Sequence, residues 1–238
     1  RKLPCRNILI RNSTLTSMGC NGFQIGSETC GDFENIRVKD CRILGSGKAG
    51  IGITTNDGAT IDGVTVTNVT MQNISHPVFI HVTDRGRQPG DTPVGRIKNI
   101  LLENIQASDV RGLKREREGP CIINGKPDSI VRNVTMRNMH ITFKSGGTAE
   151  DATRVPPYTD DYRPRKLGTI PAWALYCRHA ENILLEDVSF KLEKADMRPA
   201  VIFSDVEDVT IRDFEAEKSG AKEVIRLERV EGLINQDN

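Results

Sequence analysis

The chain is poor in aromatic side chains, 5% of its 238 residues with a single tryptophan, so any core it builds must consist mainly of aliphatic groups. It also lacks an excess of either charge. Thirty-three basic residues stand against 32 acidic ones, a net charge of +1, and no global field is left to draw in nucleic acid or an anionic membrane surface. No apolar run approaches the ~18 residues of a membrane-spanning helix, and no charged-then-apolar leader opens the sequence. The six cysteines (Cys5, Cys20, Cys30, Cys41, Cys121 and Cys177) form no C-x-x-C pair, and the four histidines fall into no metal-ligand or Ser-His-Asp spacing, so neither a metal nor a cofactor is expected. Cys41, Cys121 and Cys177 read as small buried hydrophobes, while disulfide pairing among the N-terminal four is left open by the sequence.

What the chain has is repetition. The phrase Asn99-Ile100-Leu101-Leu102-Glu103-Asn104-Ile105 recurs in variant form from Asn7, Asn35, Gly63, Asn133, Asn182 and Asp208, and a unit returning every ~25 to 50 residues is the mark of a solenoid. Its second and fourth positions are apolar, the period of a strand with one buried face. Its sixth position is Asn or Asp in every copy (Asn12, Asp40, Asn68, Asn104, Asn138, Asp187, Asp213), after which the apolar rhythm skips one residue. That is the behaviour of a corner, and Asn or Asp suits it because a short amide or carboxylate tolerates left-handed backbone and bonds nearby peptide groups.

A second strand follows each corner, among them Gly50 to Thr55, Pro77 to Val82, Pro120 to Asn124, Ala172 to Cys177 and Ala200 to Ser204. Two or three short strands per repeat, stacked at about 4.8 Å, predict an all-β parallel β-helix over residues 1–238 as one domain. The exceptions are a weak helical pattern near Leu113 to Glu118 and insertions at Asp84 to Gly95, Arg111 to Gly119 and Ser145 to Ile170. Insertions in solenoids gather on one side and wall a groove. The longest carries Tyr158, Asp160, Asp161, Tyr162 and several cations, groups suited either to a sugar polymer or to a plain solvated loop. No capping element is visible before Asn7, so the chain is expected to be part of a longer β-helix that lacks its N-terminal coils here, or to have its first coil covered by another chain.

The segment Gly19-Cys20-Asn21-Gly22-Phe23-Gln24-Ile25-Gly26-Ser27-Glu28, with Asn35 to Cys41, Gly50 to Thr55 and Val64 to Met71, resembles glycoside hydrolase family 28, the polygalacturonases and rhamnogalacturonases. The resemblance implies a right-handed, single-stranded, pectin-lyase-like β-helix, here of about seven coils. It also implies inverting hydrolysis of a pectic or related polysaccharide by a secreted or periplasmic enzyme, expected to be a monomer with no partner beyond its sugar chain. The family's Asn-Thr-Asp and Asp-Asp motifs would precede Asn7. Where its Gly-His-Gly is expected stands Gly19-Cys20-Asn21, with Cys20 in place of histidine, and where its Arg-Ile-Lys is expected stands Gly52-Ile53-Thr54. A non-catalytic polysaccharide-binding or structural β-helix is the alternative.

Aligning the second strands sets Gly26, Thr54, His81, Asn124, Tyr176, Ser204 and Glu228 in one outward column, Thr54 replacing the family's lysine. Thr54, His81, Asn124 and Tyr176 are the expected sugar contacts, and Arg178 and His179, which follow directly on, either extend the patch or serve as a corner or in salt bridges. Catalytic residues are not assigned. The carboxylates available within the chain are Glu28, Asp57, Asp84, Asp160 and Asp161.

Overall fold

A computed structural model describes residues 3–87, 93–111 and 118–236. The expected helical pattern near 113–118 lies, apart from Glu118, outside the described residues. The described chain is all-β, with β1 (Cys5–Arg11), β2 (Thr14–Ser17), β3 (Phe23–Ile25), β4 (Phe33–Thr55), β5 (Thr60–Val82), β6 (Arg96–Val110), β7 (Cys121–Asn124), β8 (Val131–Phe143), β9 (Leu175–Leu192), β10 (Val201–Ala216), β11 (Ile225–Glu231) and β12 (Ile234–Asn235). Helix is confined, among the described residues, to the 3-10 turns Asp151–Thr153 and Pro164–Leu167. The strand order β1-β4-β5-β6-β8-β9-β10-β11 is parallel at every step, each repeat pairing with the next one along the chain.

β4 and β5 run for 23 residues each, far beyond an ordinary strand, because they bend while their pairing resumes after each bend, with a shift of register between Ser46 and Ala49. The bends fall on side chains with positive φ. Asp40, Asn68, Asn104 and Asp187 at the sixth phrase position have φ between 53° and 55°, the left-handed geometry expected there. The first phrase position does the same at Asn7, Asn35, Asn99, Asn133, Asn182 and Asp208, which the pattern of apolar residues did not reveal. These amides stack on one another from rung to rung: Asn99 Oδ1 accepts from Asn133 Nδ2 at 2.7 Å, Asn133 Oδ1 from Asn182 Nδ2 at 3.0 Å, and Asn68 Oδ1 from Asn104 Nδ2 at 2.9 Å.

Between bends the apolar positions superpose. Ile36, Val64, Ile100, Val134, Ile183 and Val209 form one inward column, and Val38, Val66, Leu102, Met136, Leu185 and Ile211 another, all buried. Each such side chain contributes about 1.5–3 kcal/mol by leaving water. At the later rungs Phe143 packs edge-on against Trp173 and Phe190, and Phe190 against Phe214, at centroid distances of 5.7–5.8 Å. All six cysteines are free, and Cys41, Cys121 and Cys177 are buried among the aliphatics. Burial pushes the Cys121 thiol up to about 12 and Cys177 higher still, so both are held as neutral thiols.

The insertion at 145–170 is not a loosely solvated loop. Its Leu167 and Ile170 join Phe79, Ile122, Tyr176 and Ile202 in a second apolar cluster. Three arginines hold its backbone: Arg178 Nη1 donates to Pro156 O (2.8 Å), Arg198 Nη1 to Ile170 O (2.9 Å) and Arg226 Nη1 to Ala152 O (2.7 Å). Its entry is fixed by buried Asp196, whose Oδ2 accepts from the Gly147 amide at 2.6 Å and the Gly146 amide at 3.1 Å. Burial opposes ionisation of Asp196, but its bonds to Arg198 outweigh that and hold the carboxyl far below its usual range.

Candidate functional site

The register of the second strands corrects one member of the expected column. Thr54 pairs with His81, His81 with Asn124, Asn124 with Arg178, Arg178 with Ser204 and Ser204 with Glu228. Arg178 therefore occupies the place assigned to Tyr176. Tyr176 lies in the neighbouring apolar column with Gly52, Phe79, Ile122 and Ile202. The error came from reading Ala172 to Cys177 as the strand, whereas β9 starts at Leu175 and Trp173 and Ala174 are tied by their amides to Pro199 and Ala200.

The column is also covered. Thr54, His81, Asn124 and Arg178 are each at most 4% exposed. The cover is the insertion, through Pro156 and through Tyr158, whose ring lies 4.5 Å from the Arg178 guanidinium. Beneath it runs a polar chain. Arg178 Nε donates to Asn124 Oδ1 at 2.9 Å, which fixes the amide so that Nδ2 faces His81 Nδ1 at 2.8 Å. His81 Nδ1 also lies 3.2 Å from the Asn124 carbonyl, and the Asp161 backbone acts on the same buried ring. Burial first, and the Arg178 charge as well, push His81 down to about 4 against the carbonyl of Asn124, so its ring is neutral near pH 7. On the other side of Arg178, the Tyr158 hydroxyl meets His179 Nε2 at 2.7 Å, and His179 Nδ1 lies 4.0 Å from Asp205.

The chain's carboxylates separate clearly. Asp57 is wholly buried and accepts from Arg85 Nε (3.2 Å), the Arg87 amide (3.0 Å) and the Thr29 amide (3.2 Å), so against its burial it stays ionised as an anchor. Glu28 is bound by Arg85 and Arg87, both at 3.3 Å. Asp161 is clamped by the amide and guanidinium of Arg163, which lower its pKa. Asp84, just past β5, and Asp160, on the insertion, differ from these in lining one open cleft of about 390 Å³ with His81, Asn124, Lys126 and Tyr158. Lys126 bonds Asp84 and holds its carboxyl below the usual range. Tyr158 also lines a second cleft of about 810 Å³ on the far side, where Tyr176, Arg178, Arg226 and Arg229 are found. Among the described residues no three His, Cys, Asp or Glu side chains gather as metal ligands.

A model of the glycosyl hydrolases family 28 matches residues 4–159. The chain belongs to that family. No curated protein matches it. Family 28 membership implies a β-helix, in keeping with the parallel, rung-by-rung ladder, and the ladder continues through β9, β10 and β11 beyond the matched residues. At Gly52, where the resemblance led to an expectation of arginine, a neighbouring side chain occupies the space. Asn21 Oδ1 accepts from the Ala49 amide at 2.8 Å, and its Nδ2 would lie only 2.3 Å from a Cβ at residue 52. The Asn21 amide thus fills the room an arginine stem would need, and Gly52 is the residue that fits. Cys20, at the expected histidine position, has Sγ 2.8 Å from Gln24 Oε1 and 3.6 Å from Lys48 Nζ. Lys48 in turn lies 4.5 Å below the Tyr162 ring, so the tip of the insertion reaches back to the rungs that carry the family resemblance.

Sequence reasoning named His81, Asn124, Arg178, Asp84 and Asp160 but missed Lys126 and the pivotal place of Tyr158. A tyrosine after two prolines, on the longest insertion, was the available signal for the latter.

Proposed function

We propose that this chain belongs to a glycoside hydrolase acting on a pectic or related polysaccharide, wound as a right-handed parallel β-helix of about seven coils. The family match over 4–159 carries the reading. The seven-member column Gln24, Gly52, Phe79, Ile122, Tyr176, Ile202 and Arg226 supports the coil count. The sugar chain lies in the cleft beside Tyr158, whose exposed ring offers a stacking face and whose neighbours Lys126 and Asn124 offer donors. Hydrolysis of a glycosidic bond calls for one carboxyl group near the leaving oxygen and one near the attacking water. Asp84 and Asp160 are the pair that this cleft supplies. A polymer of this kind meets its enzyme outside the cytoplasm, which favours a secreted or periplasmic protein.

The test is release of reducing ends from a panel of pectic polymers, comparing the protein with Asp84→Asn and Asp160→Asn. Loss of about 100-fold or more in either variant is the expected result for a carboxyl group taking part in acid-base catalysis. One observation favours a second reading, a polysaccharide-binding solenoid: Asn21 and Gly52 leave no room for the family's cation at that rung. Unchanged polymer binding with no reducing-end release from any of the proteins selects that reading.

A further inference from the structure

The exposure of the second strands changes abruptly along the rod. The column that starts at half-buried Gln24 is buried from Gly52 through Phe79, Ile122 and Tyr176 to Ile202, and is half-buried again at Arg226. The column beside it is buried from Thr54 through His81, Asn124 and Arg178 to Ser204. These side chains point out of the ladder, so the stacking of rungs alone does not take them out of water. The 145–170 insertion lies on this flank from Lys48 to Arg226. The Tyr162 ring is 4.5 Å from Lys48 Nζ, Leu167 and Ile170 share an apolar cluster with Phe79, Ile122, Tyr176 and Ile202, Pro156 O accepts from Arg178, and Ala152 O accepts from Arg226.

A flank filled in this way is closed to a polymer. A sugar chain running along the stacked rungs would have to displace Leu167 and Ile170, expose the apolar side chains packed with them and give up the guanidinium bonds to Pro156, Ala152 and Ile170. The insertion is therefore a wall that a passing chain does not lift. What remains open beside it is the cleft of about 390 Å³ that holds Asp84 and Asp160, near the lower bound of the roughly 300–1,000 Å³ of small-molecule sites. Tyr158, Thr159 and Asp160 line that cleft, so the segment that fills the flank also bounds the space where the two carboxylates are found. That space accommodates a short stretch of sugar, and its continuation along the second strands is occupied by protein.

We propose that the protein engages a polysaccharide by its end, with the 145–170 insertion as the specificity-determining element, and that hydrolysis at Asp84 and Asp160 removes terminal units instead of cutting within the chain. This rests on the reading of the chain as a glycoside hydrolase with its carboxylates in that cleft. Each turnover adds one water across the glycosidic bond, its hydroxyl going to the anomeric carbon and its proton to the leaving oxygen. The insertion sets only where along the polymer that bond lies, through the length of chain for which its wall leaves room.

The experiment measures stoichiometry and product size. Linear homogalacturonan and linear rhamnogalacturonan, each as a short and a long fraction of known mean length, are titrated calorimetrically into the Asp84→Asn protein, with chain length checked afterwards; viscosity, reducing ends and product length are followed with the unsubstituted protein. The expected result is one protein per chain at both lengths, and reducing ends that rise with almost no fall in viscosity and with one short product from the earliest samples. Replacing residues 148–169 by a Gly-Ser linker, in a variant whose thermal unfolding has been checked, should open the flank and raise the number of proteins bound per long chain. If that variant does not fold, the stoichiometry with the insertion intact decides alone. A stoichiometry that grows with chain length, no binding of either polymer, an early fall in viscosity with a ladder of products, or a folded linker variant that still binds once per chain would overturn the proposal. One protein per chain without reducing-end release removes the hydrolase reading and leaves end capture standing. Several proteins per long chain with reducing-end release does the reverse.

Discussion

The two strand columns of each rung are stabilised differently. The phrase column, from Ile36 to Val209, repeats the same aliphatic positions between the same bends, and each copy needs only its neighbours above and below. The second column has no such uniformity. Along its outward face Thr54, His81, Asn124, Arg178 and Ser204 are all different, all polar and all buried, with the insertion lying over Arg178. Repetition builds the rod, and a single non-repeating segment, pinned by three arginines, turns one flank of it into clefts.

The largest effect should come where the insertion is anchored. Asp196→Ala strips Arg198 of its buried partner and frees the amides of Gly146 and Gly147, and a loss of about 3–5 kcal/mol in denaturant unfolding is expected. Next comes a core truncation in the repeating column. Leu185→Ala leaves a cavity in a close-packed stack and should cost about 2–5 kcal/mol. If the two variants unfold in separate steps, the flank and the rod are separate cooperative units.

Acid should distinguish the columns further. His76 and His81, buried on the second column's rungs, are pushed down to about 4, against about 6.5 in an unfolded chain. Between those values the unfolded state binds more protons than the folded one, so stability rises with pH across this window. Acidification from 6.5 to 4 should remove up to about 3 kcal/mol per histidine, and His81→Gln should flatten that slope in a pH series of thermal unfolding. The smallest change is expected at a bend. Asn104→Gly keeps the φ of 53° accessible but removes the amide that bonds Asn68, for a net loss of about 1 kcal/mol or less, whereas Asn104→Ala adds left-handed strain of about 1–2 kcal/mol.

The rod was legible because its signal is local and repeated. Apolar positions two apart, followed by an Asn or Asp, specify inward side chains and a left-handed corner at Asn68 or Asn104 without reference to anything distant. The site was legible only in part. His81 and Asn124 could be placed by counting along strands of equal length, but Arg178 could not, since the run from Ala172 forms a turn before β9 begins at Leu175. The burial of the column was hidden as well, because the cover comes from Pro156 and Tyr158, more than 70 residues away in sequence from His81. Likewise nothing in Gly52 announces that the Asn21 amide, a rung earlier, has taken its space.

The stacked amides have a polarity. Asn68 donates to Asp40, Asn104 to Asn68 and Asn138 to Asn104, each N–H pointing back toward the earlier rung. A carboxylate accepts but cannot donate, so Asp40 can begin such a file, while Asp187, the next member after Asn138, cannot prolong it; His140 Nε2 instead lies 2.8 Å from the last amide oxygen. Aligned dipoles then add along the rod, with an anion at the end where their positive poles point, much as an acidic residue caps a helix. The sequence of Asn and Asp along the corner therefore encodes where each electrical file starts and stops, and exchanging Asp40 for Asn would lengthen one by a member while removing the charge that terminates it.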